Sequence, residues 1–380
     1  MPERNKEINI TKMLTTAKRI VIKIGSSLLA DDKNQVRRDW LASLAQDIAK
    51  AQKSGKEIIV VTSGAVALGR ESLGYGFRKL VLEEKQAAAA CGQIILFSMW
   101  AETLRAVDLF PAQMLLTADD SINRRRYLNA RNTLTTLLDN PRIVPIINEN
   151  DTLATAELRF GDNDRLAARV AQMASADLLI LFSDIDGLYS ENPRINPNAV
   201  LQEEVIEITP EIEAMAGGAG SLVGTGGMAT KIAAAKIAIS VGCNMIIARG
   251  TENNPLKTLM DGGKCTEFIA KESPLSARKH WIASSLHPAG TITIDNGAAW
   301  ALKNGNSLLP AGVKSTAGEF DRGDAVLICN LKGMQLGIGL VSYDFVESNL
   351  IIGKQSNEIE QILGFKRSDV LVHRDNMVLE

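Results

Sequence analysis

Between Arg19 and about Gly250, short runs of β-branched and aliphatic residues alternate with stretches whose apolar positions recur every three or four residues. Few architectures accept that alternation. A strand that reads as an unbroken apolar run, such as Ile20 to Ile24 or Ile58 to Val61, is buried on both faces, and strands separated by helices pair in parallel. Further strands are expected at Ala112 to Leu116, Ile143 to Ile147, Leu178 to Phe182 and Met245 to Ala248. Helices are expected at Asp39 to Ala51, Lys85 to Val107, Tyr127 to Leu138, Asp164 to Ala174 and Thr230 to Val241. The fold class is α/β, an open, mostly parallel sheet sandwiched by helices. The run Ala87 to Ala90 suits either close packing of a helix on the sheet or a subunit interface.

Beyond Ser276 the pattern changes to short strands, Gly290 to Ile294, Ala325 to Cys329 and Gly337 to Val341, bounded by Asn-Gly, Lys-Gly and Arg-Gly turn signals. A small, mostly β barrel is expected there. The stretch Gly250 to Ser276, with Pro255, Gly262, Gly263 and Pro274, marks the change, giving expected domains at 1–265 and 276–380. The 380 residues are 46% hydrophobic, enough for two cores.

Charge narrows the partners. With 42 Lys+Arg against 44 Asp+Glu, no basic field favours nucleic acid or an anionic membrane, and small molecules fit better. Residues 276–380 carry 10 basic and 11 acidic side chains, which argues against RNA as the tail's partner. No apolar run is expected to reach the length of a membrane span, and Met1 to Lys12 is polar and mixed in charge, unlike a signal peptide. Cys91, Cys243, Cys265 and Cys329 form no C-x-x-C pair, and His280, His287 and His373 lack metal-ligand spacing. A cytoplasmic setting is expected.

Chemistry concentrates after the strands. Lys23 lies inside an apolar strand, where a charge is costly unless it meets an anion, and Gly25-Ser26-Ser27 follows with N–H and hydroxyl donors. A second donor loop, Val61-Thr62-Ser63-Gly64-Ala65, follows the next strand. The polar cluster Asn148-Glu149-Asn150-Asp151 follows a third, and Phe160-Gly161-Asp162-Asn163-Asp164 leads into a helix. Carboxylates so close are stabilised by cations or amines bound among them. Ser183-Asp184-Ile185-Asp186-Gly187 suits a nucleotide's ribose or base, or an Asp-Gly turn. Finally Gly224-Thr225-Gly226-Gly227-Met228-Ala229-Thr230-Lys231 brings a flexible loop to a helix N-terminus with a lysine, a phosphate-holding arrangement. It lacks the Walker A signature, and its G-x-G-x-x-A spacing does not follow a strand.

Taken in order from about Lys18 to Gly250, these segments resemble the amino-acid kinase family, closest to its branch that phosphorylates the γ-carboxylate of L-glutamate. Arg278-Lys279-His280-Trp281-Ile282, Ser307 to Gly312 and Arg322-Gly323-Asp324 resemble a PUA domain. The resemblance implies that Lys23 and Lys231 contact the transferring phosphoryl group and that Asp164 orients them. It implies glutamate contacts at Ser63, Gly64, Asn148, Asp151, Asp162 and Asn163. ATP contacts are implied at Lys23, Ser183, Asp184, Thr225, Gly226, Gly227, Met228, Ala229, Thr230 and Lys231. ATP is then the co-substrate with Mg²⁺, whose ligands the sequence does not identify. Proline is implied as a feedback inhibitor and a homo-oligomer, dimer or tetramer, as the assembly. The alternatives are another member of the family, acting on N-acetylglutamate, aspartate or uridylate, or an RNA-binding protein working through its tail.

Overall fold

The computed structural model describes residues 11–29, 36–76, 78–153, 162–217, 227–285 and 288–379. The chain divides into two compact units, Met1–Pro274 and Leu275–Glu380. The first contains β1 (Arg19–Ile24), β2 (Glu57–Thr62), β3 (Phe110–Leu116), β4 (Ile143–Glu149) and β5 (Leu178–Ser183). A two-stranded ribbon, β6 (Leu188–Tyr189) with β7 (Leu201–Gln202), precedes β8 (Glu204–Val205), β9 (Asn244–Arg249) and β10 (Cys265–Phe268). Eight of these form one sheet in the order β3-β4-β2-β1-β5-β9-β10-β8. Within this sheet every described pairing is parallel except β9 with β10.

The central strands are apolar throughout because each supplies two cores. Ile20, Ile22 and Ile24 face one core with Ile58, Val60, Leu178, Ile180 and Phe182. Val21 faces the other with Ile59, Val61, Leu179 and Leu181, as the two-residue period of a strand requires. Each such side chain contributes roughly 1.5–3 kcal/mol on burial, so a one-residue slip of any central strand is strongly disfavoured. Lys23 is the next odd-numbered residue after Val21. It therefore points into the second layer, beneath the helices Asn163–Ala174 and Met228–Ser240.

The helix Leu82–Arg105 crosses the helix Ala65–Ser72 with backbones in contact. A Cβ on Gly92 would lie 1.8 Å from Ala65 O, and one on Gly69 would lie 1.8 Å from Ala88 O. Tight packing is thus one role of the alanine-rich run, with Ala88 and Ala89 buried while Ala87 and Ala90 remain exposed. Contrary to the expectation from the sequence, this helix is by length and composition apolar enough to cross a membrane. Gln86, Gln93 and Ser98 interrupt its apolar run and hid that property from the sequence reading. Its Gly92, Leu96, Met99, Trp100 and Leu104 are buried within the first unit.

The expected end of the first domain at 265 coincides with the start of β10, whose pairing with β9 and β8 extends the sheet beyond it. Likewise the stretch expected to mark a domain change holds the helix Pro255–Met260, whose Leu256 and Leu259 join the first core. Burial of those leucines and of Phe268 keeps this segment with the first unit.

The second unit is built on β11 (Gly290–Ile294), β12 (Val313–Gly318), β13 (Ala325–Asn330), β14 (Gln335–Val341) and β15 (Val372–Leu379), ordered β12-β11-β13-β14-β15. Helices Asn296–Lys303, Phe345–Ile351 and Ile359–Leu363 accompany the strands, more helix than the turn signals implied. Ile292, Ile294, Val326, Ile328 and Tyr343 lie in a core of its own.

Candidate active site

Three helices begin beyond the carboxyl ends of parallel strands: Ala65–Ser72, Asn163–Ala174 and Met228–Ser240. Their amino termini bring backbone N–H groups and partial positive charge, a setting for anions. In the second and third, the inward stripe begins with a charge. Asp164 leads Ala167, Ala168 and Ala171, while Lys231 leads Ala234, Ala235 and Ala238. The alanines let both helices lie close, and the two charges end up over Lys23.

Lys23 Nζ is 2.6 Å from Asp164 Oδ1, and Lys231 Nζ is 3.1 Å from Asp164 Oδ2. Thr230 Oγ1 donates to the same Oδ2 at 2.8 Å. Exposure is 7% for Lys23, 4% for Lys231 and 0% for Asp164, so all three charges are withdrawn from solvent. Burial would push the Asp164 carboxyl up. The ammonium groups of Lys23 and Lys231, with the bonds from Lys23 and Thr230, outweigh burial and hold it below its ordinary value. Two ammonium groups on one carboxylate leave the trio formally cationic at a strand end. Such a trio suits a multiply charged anion.

Beside it lies an amide network. Asn163 Nδ2 donates to Thr62 O at 2.6 Å, Ser63 Oγ at 2.8 Å and Asn148 Oδ1 at 3.0 Å. It thus ties the ends of β2 and β4 to the helix Asn163–Ala174. Gly64, with φ of 106°, turns the chain from β2 into its helix, a left-handed conformation that favours glycine. Asn148 Nδ2 in turn donates to Gln93 Oε1 at 2.9 Å. Gln93 escaped the sequence reading because its partner is 55 residues away and no local pattern marks the contact. Asp151 is half-buried in the turn after β4.

Asp162 caps the helix, accepting from Arg165 N at 2.9 Å. Burial raises its carboxyl above the ordinary value, aided by the charge of Asp164, against the bond from Arg165 and that residue's charge. If the ionised form receives a substrate amine, KM for that substrate should rise as pH falls through the raised pKa, by about tenfold per unit below it. The rise would begin at a pH where an ordinary aspartate is still ionised. Because folding raises this pKa, the group's contribution to stability is present below the unfolded value and lost as pH climbs through the folded one. Asp162→Asn, which retains a good cap and carries no charge to bury, is therefore expected to match or exceed the parent Tm at neutral pH while losing the pH dependence of KM. Parallel titrations of KM for both substrates would check this, and an unchanged profile in the variant would refute it.

Ser183 and Asp184 stand at the end of β5, with Ser183 Oγ donating to Asp184 Oδ1 at 3.1 Å. Met228, Ala229 and Thr230 form the first turn of the Lys231 helix, preceded by Gly227. Gly227 has an extended backbone, and among the described residues nothing lies within 4 Å of a Cβ built there. Thr225 and Gly226 lie outside the described residues, as do Gly224, Phe160 and Gly161.

Comparisons with known proteins follow this geometry. Residues 18–249 match the amino acid kinase family, and residues 290–363 match the PUA domain. A glutamate 5-kinase of Paramagnetospirillum magneticum is 58% identical over 368 residues, covering 97% of this chain and 99% of that protein. One from Agrobacterium fabrum is 53% identical over 368 residues, covering 97% and 94%. Among solved structures, a carbamate kinase from Giardia lamblia bound to AMP-PNP is 18% identical, covering 68% of this chain and 100% of that one, with a TM-score of 0.48. On the breadth of these sequence matches, the chain belongs to the amino acid kinase family, in its glutamate 5-kinase group, and carries a PUA domain.

Proposed function

We propose that the protein transfers the γ-phosphoryl group of ATP to the γ-carboxylate of L-glutamate, the first step of proline synthesis, and that the Lys23–Asp164–Lys231 trio is the centre of this chemistry. A carboxylate oxygen attacks the γ-phosphorus, the bond to the β,γ-bridging oxygen breaks, and γ-glutamyl phosphate and ADP result. The nucleophile is already ionised, so no proton has to be removed. Two anions must instead be brought together, and catalysis consists of positioning and charge stabilisation. Lys23 and Lys231 supply the charge, and Asp164 fixes both ammonium groups. The buried trio is the observation that carries the reading.

Ser63, Gly64, Asn148, Asp151, Asp162 and Asn163 form the glutamate half-site. Ser183, Asp184 and the segment Thr225 to Lys231 form the ATP half-site. Mg²⁺ would be held mainly by the phosphates of ATP, which commonly bind it with few protein ligands. When bound with ATP, Mg²⁺ would supply further positive charge beside that of Lys23 and Lys231. Proline, sharing glutamate's α-amino and α-carboxylate groups, would inhibit by occupying their sub-site. Ile94 and Ile95, exposed on the helix Leu82–Arg105, and Phe110 and Leu115 on edge strand β3 offer apolar surface for a homo-oligomer. We place the protein in the cytoplasm, where both substrates are available.

ATP consumption with glutamate, N-acetylglutamate or aspartate, each with and without proline, tests the assignment. Turnover is expected with glutamate and should be reduced by proline at limiting glutamate. Preferred turnover of another acceptor would refute the substrate reading. A chain ending at Pro274 is expected to retain kcat within about threefold, because every proposed active-site residue precedes Gly250 and each unit has its own core. A soluble, folded truncation without turnover would show that the second unit completes the site.

A further inference from the structure

The loop between β6 and β7, residues 190–200, is tied to itself by polar contacts. Ser190 N donates to Val200 O at 2.9 Å and Val200 N to Ser190 Oγ at 3.0 Å. Arg194 N donates to Asn192 Oδ1 at 3.0 Å, and Asn196 Nδ2 to Glu191 Oε2 at 3.0 Å. Its aliphatic residues Ile195 and Val200 are 81% and 63% exposed, so apolar burial does not hold this shape. The loop instead presents a guanidinium. Arg194 Nη2 reaches back to Asp184 Oδ2 at 2.6 Å, while Asp184 Oδ1 accepts from Ser183 Oγ.

That carboxylate is thus held at both oxygens, one by the last residue of β5 and the other by the loop. Burial would raise its pKa, but the bonds from Arg194 and Ser183 outweigh burial and keep it below the ordinary value. The Arg194 side chain is 75% exposed, and a pair so open to solvent contributes little to stability. A role in ligand binding suits it better. An anionic Asp184 in a nucleotide half-site is repelled by the nucleotide's phosphates unless a cation accompanies the carboxylate.

We propose that Arg194 is a positioning residue of the ATP half-site, orienting the Asp184 carboxylate beside Ser183 and offsetting its charge as the nucleotide binds. This rests on the reading of Ser183 and Asp184 as ATP-binding residues. Arg194 acts through Asp184, so its contribution should vanish when that carboxylate is removed.

Kinetics of Arg194→Gln, Arg194→Lys, Asp184→Asn and the Asp184→Asn/Arg194→Gln double variant, in the full chain, test the proposal. Arg194→Gln is expected to raise KM for ATP by about tenfold, with KM for glutamate and kcat at saturating ATP changed by less than about twofold. Arg194→Lys should recover part of that loss by retaining the charge without the planar fork. In the double variant the arginine change should add nothing to Asp184→Asn. The proposal is overturned if Asp184→Asn raises KM for ATP while Arg194→Gln does not, or if the two effects multiply. An unchanged KM for ATP in Asp184→Asn would overturn both this proposal and the underlying ATP assignment. A fall in Tm accompanied by parallel losses in kcat and both KM values would assign Arg194 a structural role and also overturn it.

Discussion

Lys231→Ala should lower kcat by about a hundredfold to a thousandfold while changing both KM values by only a few fold. The ammonium would meet the phosphoryl group most strongly when charge is redistributed between leaving and attacking oxygens, so its loss falls on the transition state. The geometry also keeps this variant interpretable. Asp164 retains Lys23 at 2.6 Å and Thr230 at 2.8 Å, so its buried carboxylate is not left alone. Asp164→Ala would be a poorer probe, because it leaves two buried ammonium groups without their shared carboxylate, a kind of change that costs about 3–5 kcal/mol. Lys231→Arg should rescue little, since a planar fork does not reproduce a compact ammonium in a closed pocket. Steady-state kinetics alongside thermal unfolding would check the set. If Lys231→Ala stays folded with kcat within about twofold of the parent, Lys231 does not have the assigned role.

Local pattern marked Lys23 and Lys231 separately as cations placed to meet an anion, and the family resemblance joined them to Asp164. Lys23 interrupts the apolar run of β1, and Asp164 and Lys231 each begin a helical stripe of small apolar residues. The central strands were legible for a related reason: double-sided burial demands continuous apolar runs. Edge elements follow weaker rules. β8 is two residues long, and β10 carries Thr266 and Glu267, so partner strands rather than local composition define them. The same limit explains Gln93 and Arg194. Each is an ordinary polar residue in its own segment, and only the folded chain brings it to Asn148 or Asp184. Gly69 and Gly92 are 23 positions apart, and their shared helix crossing was likewise invisible without the tertiary fold.

Free L-glutamate should exceed N-acetylglutamate in kcat/KM by roughly four orders of magnitude, the largest effect expected of this site. Asn148 and Asn163 are bonded to each other at 3.0 Å, with Asp162 adjacent to Asn163 and Asp151 three residues beyond Asn148. A cationic α-amine entering this half-site can form charge-assisted hydrogen bonds with the carboxylates. Acetylation removes that charge and leaves one neutral N–H, so the carboxylates would lose the charge-assisted bonds that the free amine supplies. The asymmetry is greater than that of fitting an extra methyl group, because unmatched polar groups cost more than imperfect apolar contacts. Asp151→Asn should consequently raise KM for glutamate by at least about tenfold while leaving KM for ATP nearly unchanged, and should narrow the preference over N-acetylglutamate. Comparable kcat/KM values for the two acceptors in the parent enzyme, or an Asp151→Asn effect confined to ATP, would remove Asp151 from the amine sub-site and reopen the acceptor's identity.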